Sequence, residues 1–310
     1  MSLLRRSLVS LVLGLALGGP AQAAGTGPFD LSPEQPAREH VGPDAAAIAA
    51  LPEGLRLARP QVFTVASTLS APPQSTYALD SSTPVGADID IAILIAESLG
   101  LEVEVLPVAW ADWPLALASG KVDAVLSNVG VTEERKEKFD FSTYRQGLHG
   151  FFVHRDSPVT SIEGPADIAG LTVIVGVGTN QERILGKWNE QNIAAGLPAA
   201  DLVYHDDEAT KLLALRAGRA DVIVQPHAQL VYIALRDGDF RKVGTLAAGW
   251  PERSDVGVVT RKGSGLAEAV TIALNGLIRD GVYHRVLQRW HIQDEALDQS
   301  LTNPPGLPKF

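Results

Sequence analysis

Cysteine is absent from the 310 residues. No disulfide can staple this chain, so its stability must come from a buried core, which a chain of this length can build. No thiol is available to carry a lipid anchor either. Positive charge is scarce, with 26 Lys and Arg against 36 Asp and Glu, a formal net charge of −10. That balance argues against nucleic acid as a partner, which needs a basic face. No apolar run reaches the roughly 20 residues of a membrane helix. The sequence also contains no G-x-S-x-G or H-E-x-x-H pattern and no P-loop. A dinucleotide fingerprint started at Gly176 would need glycine where Gln181 stands. The seven histidines show no metal-ligand spacing, and no cofactor or metal is expected.

What is present begins with Arg5 and Arg6, a short apolar run over residues 11–17, and Ala21-Gln22-Ala23. This is the layout of a secretory signal peptide over residues 1–23. Residues 24–56 are rich in Pro, Ala and Gly and read as a peripheral extension with a short helix over 43–50. Residues 62–65 read as a first strand, followed by a polar loop through Pro72 and Pro73. Asp88 is an N-cap candidate for a helix that stops near Gly100, and its apolar residues 89–96 predict burial on all sides. Leu101, Val103 and Val105 alternate with acids as in a half-buried strand. Trp110 lies in the next loop.

The stretch over residues 127–145 organises the rest. An apolar run over 122–126 predicts a buried parallel strand that ends at Ser127 and Asn128. Thr132 is a plausible N-cap for a turn of helix, with Glu133 and Glu134 suited to its positive end. Arg135 then stands beside the C-terminal edge of a parallel strand, where α/β sheets bind ligands. A guanidinium next to free backbone donors makes a carboxylate receptor.

The segment over 114–128 has a counterpart over 211–226. Each runs through a Leu/Ala helix, a glycine (Gly120, Gly218), a basic residue, an Asp (Asp123, Asp221) and an apolar strand. Two similar α/β lobes follow from this, with Ser127 and Asn128 facing Gln225 and Pro226 across a shared cleft. Between the repeats, a strand over 170–175 leads through Gly178, Thr179 and Asn180 into a helix start. Residues 256–260 read as a strand returning to the first lobe, followed by helices over 266–280 and 282–290. The residues from 293 onward read as an extended tail.

In this order the motifs resemble the periplasmic solute-binding proteins of ABC importers, in particular the polar amino-acid-binding family. The resemblance covers residues 57–292. It rests on Val85-Gly86-Ala87-Asp88-Ile89-Asp90, Trp110, Ser119-Gly120-Lys121-Val122-Asp123, Val131-Thr132-Glu133-Glu134-Arg135-Lys136, Phe139-Asp140-Phe141-Ser142, Asp167-Ile168-Ala169-Gly170, Gly178-Thr179 and Gly218-Arg219-Ala220-Asp221. It implies an α/β fold of two lobes joined by two hinge strands that close on one small ligand. The implied division is lobe 1 at 57–147, lobe 2 at 148–252, a return to lobe 1 at 253–292 and a tail at 293–310.

By the same resemblance, Arg135 holds a ligand carboxylate, Ser127, Asn128 and Gly130 line the floor, and Trp110 packs on the ligand. Thr179, Asn180 and Gln181 meet the ligand from the other lobe. Gln225 and Thr68 complete the expected site. The implied partners are a small carboxylate ligand and a membrane permease, with a monomeric protein free in the periplasm.

Three departures bear on the ligand. Gly130 lacks the hydroxyl usual in the family, Pro226 stands where an ammonium-binding Asp is common, and Thr68 and Ala71 fall where an acid and an aromatic are common. The anion side of the site is kept and the cation side depleted, which points to a small organic anion other than a standard free α-amino acid, such as a modified amino acid or a sulfur- or nitrogen-containing acid. The competing expectation is a secreted enzyme on the same fold, similar to a cyclohexadienyl dehydratase, with His227 as its best general base. His205, Asp206, Asp207 and Glu208 read as helix capping and solvated charge.

Overall fold

The computed structural model describes residues 27–205 and 207–308. The expected signal peptide lies outside these residues, as does Asp206 of the acidic cluster.

Two five-stranded sheets carry the fold. The elements run α1 (Ala45–Ala49), β1 (Val62–Ser67), β2 (Thr76–Tyr77), β3 (Pro84–Val85), α2 (Ala87–Ser98), β4 (Glu102–Pro107), α3 (Trp113–Ala118), β5 (Ala124–Val125), α4 (Glu133–Lys136), β6 (Phe139–Gln146) and β7 (Leu148–His154). They continue with β8 (Thr172–Ile174), α5 (Asn180–Ala194), β9 (Asp201–Val203), α6 (Glu208–Arg216), β10 (Val222–Pro226), α7 (His227–Asp237), β11 (Phe240–Ala247), β12 (Asp255–Arg261), α8 (Leu266–Arg279) and α9 (Val282–Arg289).

The first sheet has the order β4-β1-β5-β12-β6 and the second the order β11-β7-β10-β8-β9. In the first, β4, β1 and β5 are parallel, and β12 runs antiparallel to both β5 and β6. The second repeats this scheme: β9, β8 and β10 are parallel, and β7 runs antiparallel to β10 and β11. Every residue of β1 is buried, as expected of a parallel strand covered on both faces.

The internal repeat persists down to single hydrogen bonds. Asp123 precedes β5 and accepts the Thr64 amide of β1 at 2.9 Å, while its own amide donates to the Thr64 carbonyl at 2.8 Å. Asp221 precedes β10 and does the same to Thr172 of β8, at 2.8 and 2.9 Å. Each aspartate pins the start of one strand to the start of its parallel neighbour. Parallel strands lack a tight turn to set register, so this side-chain clamp does it instead.

Two crossings join the sheets. The chain passes from β6 to β7 through Gly147, and from β11 back to β12 through residues 248–254. They are bonded to each other: the Gly147 amide donates to the Ser254 carbonyl at 2.7 Å, and the Ala248 amide to the Gly147 carbonyl at 2.8 Å.

Helix α2 is buried nearly throughout, as its apolar circumference predicts. Its cap differs from the expectation. Gly86 takes that position, at φ 133°, and Asp88 sits inside the first turn, fully buried. A Cβ on Gly86 would lie 2.3 Å from the Gln74 carbonyl oxygen, so only glycine lets the loop before β2 reach the helix start. The 74 carbonyl then accepts the Asp88 amide at 2.8 Å. Asp88 is thereby free to pair with a buried arginine rather than to cap.

The described residues before β1 and after α9 are more integral than their composition suggests. Phe29 is buried, its ring 4.9 Å from that of Tyr232 on α7 and 6.4 Å from that of Trp290 after α9. Glu295, Leu297 and Ser300 of the tail are buried. Further on, the Leu307 amide donates to the Val131 carbonyl and its carbonyl accepts the Glu133 amide, at 3.0 and 2.9 Å. Pro-rich segments carry no periodicity to read, and their burial depends on what they dock against.

The paired aspartates give a direct comparison. Asp123 is buried and Asp221 exposed. Asp123→Ala is expected to cost about 2–3 kcal/mol and Asp221→Ala about 1 kcal/mol or less, read as shifts in urea midpoint at unchanged slope.

Candidate functional site

A cavity of about 630 Å³ opens between the two sheets. From the first lobe it is lined by Thr68, Ser70, Ala71, Pro72 and Gln74 of the loop after β1, by Val108, Ala109 and Trp110 after β4, and by Ser127 and Asn128 after β5. From the second lobe come Glu208 at the start of α6, Pro226 at the end of β10, and Gln229, Tyr232, Ile233 and Arg236 of α7. The C-terminal ends of β1, β4, β5 and β10 thus all supply lining, as strand ends do in open α/β sheets.

Four of the expected site residues, Thr68, Trp110, Ser127 and Asn128, line this cavity together. Ser127 Oγ donates to Thr68 Oγ1 at 3.0 Å and accepts the Thr68 amide at 3.2 Å, which locks the ends of β1 and β5. Asn128 adopts φ 54°, a conformation Asn tolerates better than most residues. Its Oδ1 accepts from Arg145 at 3.3 Å. Trp110 is 47% exposed, a large ring held open at the cleft.

Arg135 stands behind Trp110. The Thr132 hydroxyl caps the turn by accepting the Arg135 amide at 3.1 Å. The guanidinium lies 5.8 Å from the Trp110 ring centre and donates to the Gly130 carbonyl at 2.8 Å. Burial lowers its pKa from the ordinary arginine value. The carboxylate of Glu134, in the same turn, acts on its charge in the opposite direction. Gly130 lines a smaller adjoining cavity of about 120 Å³ at the hinge.

The second-lobe residues are dispersed. Thr179 and Asn180 line a separate groove of about 600 Å³ with His149, Ala248, Ser254 and Leu307. Thr179 caps α5 by accepting the Glu182 amide at 3.2 Å, and the Asn180 amide group donates to the Ala248 carbonyl. Gln181 is buried on α5. Gln225 is buried and donates to Glu208 at 2.9 Å. In this conformation the α5 start and Arg135 do not share a cavity.

Sequence reasoning missed the α7 wall and Glu208. Residues 229, 232, 233 and 236 follow helical spacing immediately after a strand that ends at the cleft, and that was the available signal. In the acidic cluster, Asp207 does cap α6, accepting the Thr210 amide at 2.8 Å, but Glu208 faces the cavity rather than solvent alone.

His227 begins α7 and is fully enclosed. Its Nδ1 is 3.0 Å from Glu295 Oε1 and its Nε2 is 3.2 Å from Asp294 Oδ2. Both ring nitrogens therefore face carboxylates of the tail, and His227 lines the small hinge cavity rather than the larger one between the sheets. Glu295 also pairs with the buried Arg145, whose other partner is Asp88 at 3.1 Å. This network joins α2, the crossing strand β6, the tail and the start of α7. His149, on β7 between the groove and the hinge cavity, is buried with no partner on either ring nitrogen, and burial pushes its pKa down to about 4.

Two α/β lobes, two crossings and a cavity between opposed strand ends define a protein of the two-domain periplasmic-binding type. Residues 63–293 match the bacterial extracellular solute-binding proteins, family 3, and the chain belongs to that family. It is 30% identical over 220 residues to the L-cystine-binding protein TcyJ of Escherichia coli (strain K12), a match spanning 70% of this chain and 78% of that one. It is 28% identical over 216 residues to the ABC transporter glutamine-binding protein GlnH of Bacillus subtilis (strain 168), spanning 68% and 74%. The L-cystine solute receptor of Neisseria gonorrhoeae, solved unliganded and open, shares the fold with a TM-score of 0.63 at 23% identity, over 76% of this chain and 94% of that one. No helix among the described residues is long and apolar enough to cross a membrane.

Two predictions come from the buried groups. Glu295→Ala leaves Arg145 half-paired in the interior and is expected to cost about 3–5 kcal/mol, whereas Asp294→Ala at the exposed edge costs below about 1 kcal/mol, both by chemical denaturation. His149 is held neutral in the fold while the unfolded chain takes up a proton near 6.5. Stability is therefore lost as pH falls from about 6.5 towards 4. His149→Phe should remove roughly 2–3 kcal/mol of the loss between pH 7 and pH 4.5.

Proposed function

We propose that this protein captures an amino acid or related small organic anion between its lobes and delivers it to the membrane permease of an ABC importer. The observation that carries this reading is the cavity itself. Trp110, Ser127 and Asn128 stand on one side of it and Pro226, Gln229 and Tyr232 on the other. Behind Trp110 waits a half-buried guanidinium whose hydrogen-bond partner is a backbone carbonyl and which feels the charge of Glu134 in its own turn. A carboxylate lying against Trp110 would complete Arg135, since a desolvated guanidinium gains most from a forked acceptor. Relatives named for binding L-cystine and glutamine support an amino-acid ligand.

Closure is a hinge motion of residues 57–147 and 253–292 against residues 148–252. It brings the α5 start, with Thr179, Asn180 and Gln181, toward Arg135, and the ligand acts by favouring the closed state. The Gly147 and 248–254 crossings are the pivots. The protein works as a monomer in the periplasm, exported by residues 1–23 and not lipid-anchored.

Titration calorimetry with L-cystine, L-glutamine and L-arginine tests the reading. One of them should bind, and Arg135→Met should weaken it by about 10- to 100-fold. X-ray scattering should report a smaller radius of gyration with ligand. Unchanged affinity in Arg135→Met would remove the arginine from the site.

A further inference from the structure

Glu208 is the one carboxylate among the described residues lining the inter-lobe cavity. It is the first residue of α6, and the Asp207 cap holds it there. Its Oε2 accepts from Gln225 Nε2 at 2.9 Å, and Lys211 Nζ stands 3.7 Å from the same oxygen. Its Oε1 is buried and has no hydrogen-bond partner among the described residues. The Oε1 of Gln225 is also buried without one, on a side chain only 7% exposed. One hydrogen-bonded pair thus holds two acceptor oxygens and no donor for either.

Such a pair is costly unless something completes it. Lys211 belongs to the same helix, three residues on, and its contact leaves Oε1 unsatisfied. The cavity's own cation, Arg236, donates to both oxygens of Asp237, at 2.6 and 3.1 Å. The facing wall offers Thr68, Trp110, Ser127 and Asn128, none of them charged. Pro226, at the end of β10, has neither a charge nor an amide hydrogen. What this corner lacks is a donor for Glu208 Oε1, and a positively charged nitrogen with several N–H groups would supply it.

We infer that Glu208, backed by Gln225, receives a cationic nitrogen of the ligand, an ammonium or a guanidinium, and so sets the protein's selectivity. This rests on the ligand cleft proposed above and narrows its ligand. The cleft takes a molecule bearing both a carboxylate and a cation, and the acid that meets the cation comes from the start of α6 rather than the end of β10.

Calorimetry on the full chain tests this with three pairs that differ in cationic groups alone: L-glutamine against glutaramate (one ammonium), L-cystine against 3,3′-dithiodipropionate (two ammonium groups), and L-arginine against L-citrulline (one guanidinium). Wild type should prefer the cation-bearing member of at least one pair by tenfold or more. Glu208→Gln, which keeps shape and removes charge, should reduce that preference to less than threefold by weakening the cation-bearing member alone. The ratio within a pair is measured on one preparation, so partial unfolding cancels. A preference retained in Glu208→Gln overturns the assignment, as does a wild type that binds the member lacking the cation equally well in every pair. In either case a loss of binding in Arg135→Met leaves the cleft reading standing. Binding of none of the six ligands by wild type overturns both.

Discussion

A charged guanidinium with no access to water governs the centre of this molecule. Arg145 lies on β6, just before the first crossing, and is fully buried. Burial opposes its charge, yet Asp88, Tyr144 and Glu295 hold its pKa above the ordinary arginine value. For Asp88 the balance goes the other way, and burial raises its pKa despite the arginine beside it. A buried charge is tolerated only when geometry supplies its partners. Three distant segments are therefore committed to one point. The first turn of α2 must bring Asp88, the tail must fold back to bring Glu295, and Asn128 must turn its side chain inward from the cleft floor. Because Glu295 also holds His227, the start of α7 in the second lobe is tied to the same centre.

The cleft inherits its form from this arrangement. Strand ends of both sheets converge above the Arg145 network, and the walls are set by how β5 and β10 terminate. The Ser127–Thr68 lock and the left-handed backbone of Asn128 shape the first wall. The second wall is a helix face, α7, anchored at its first residue. The two walls are joined by two short crossings that are hydrogen-bonded to each other.

Much of this was legible in the sequence because it is local. The repeated helix–glycine–aspartate–strand pattern announced two related lobes, and the two aspartates form matching clamps on Thr64 and Thr172. Thr132, Thr179 and the glycine stops cap or end their helices much as their positions suggest. Strand ends placed Ser127, Asn128 and Trp110 at the cavity. Asp88 was misread as a cap because a capping aspartate and an ion-paired one look alike until the arginine, 57 residues away, is in place. Glu208 was hidden among neighbouring acids for the same reason: only the approach of Gln225, 17 residues on, distinguishes it from its solvated neighbours.

By itself the sequence determined the periodic elements, their punctuation and the duplication of the lobe, since these depend on neighbours within a few residues. Tertiary structure alone decided which charged groups are buried together, which helix faces the cavity, and that Phe29 and the 295–307 segment pack into the body. Those outcomes depend on desolvation and on pairing across long sequence separations, and a buried ion pair leaves no mark on the periodicity of either strand or helix that carries it.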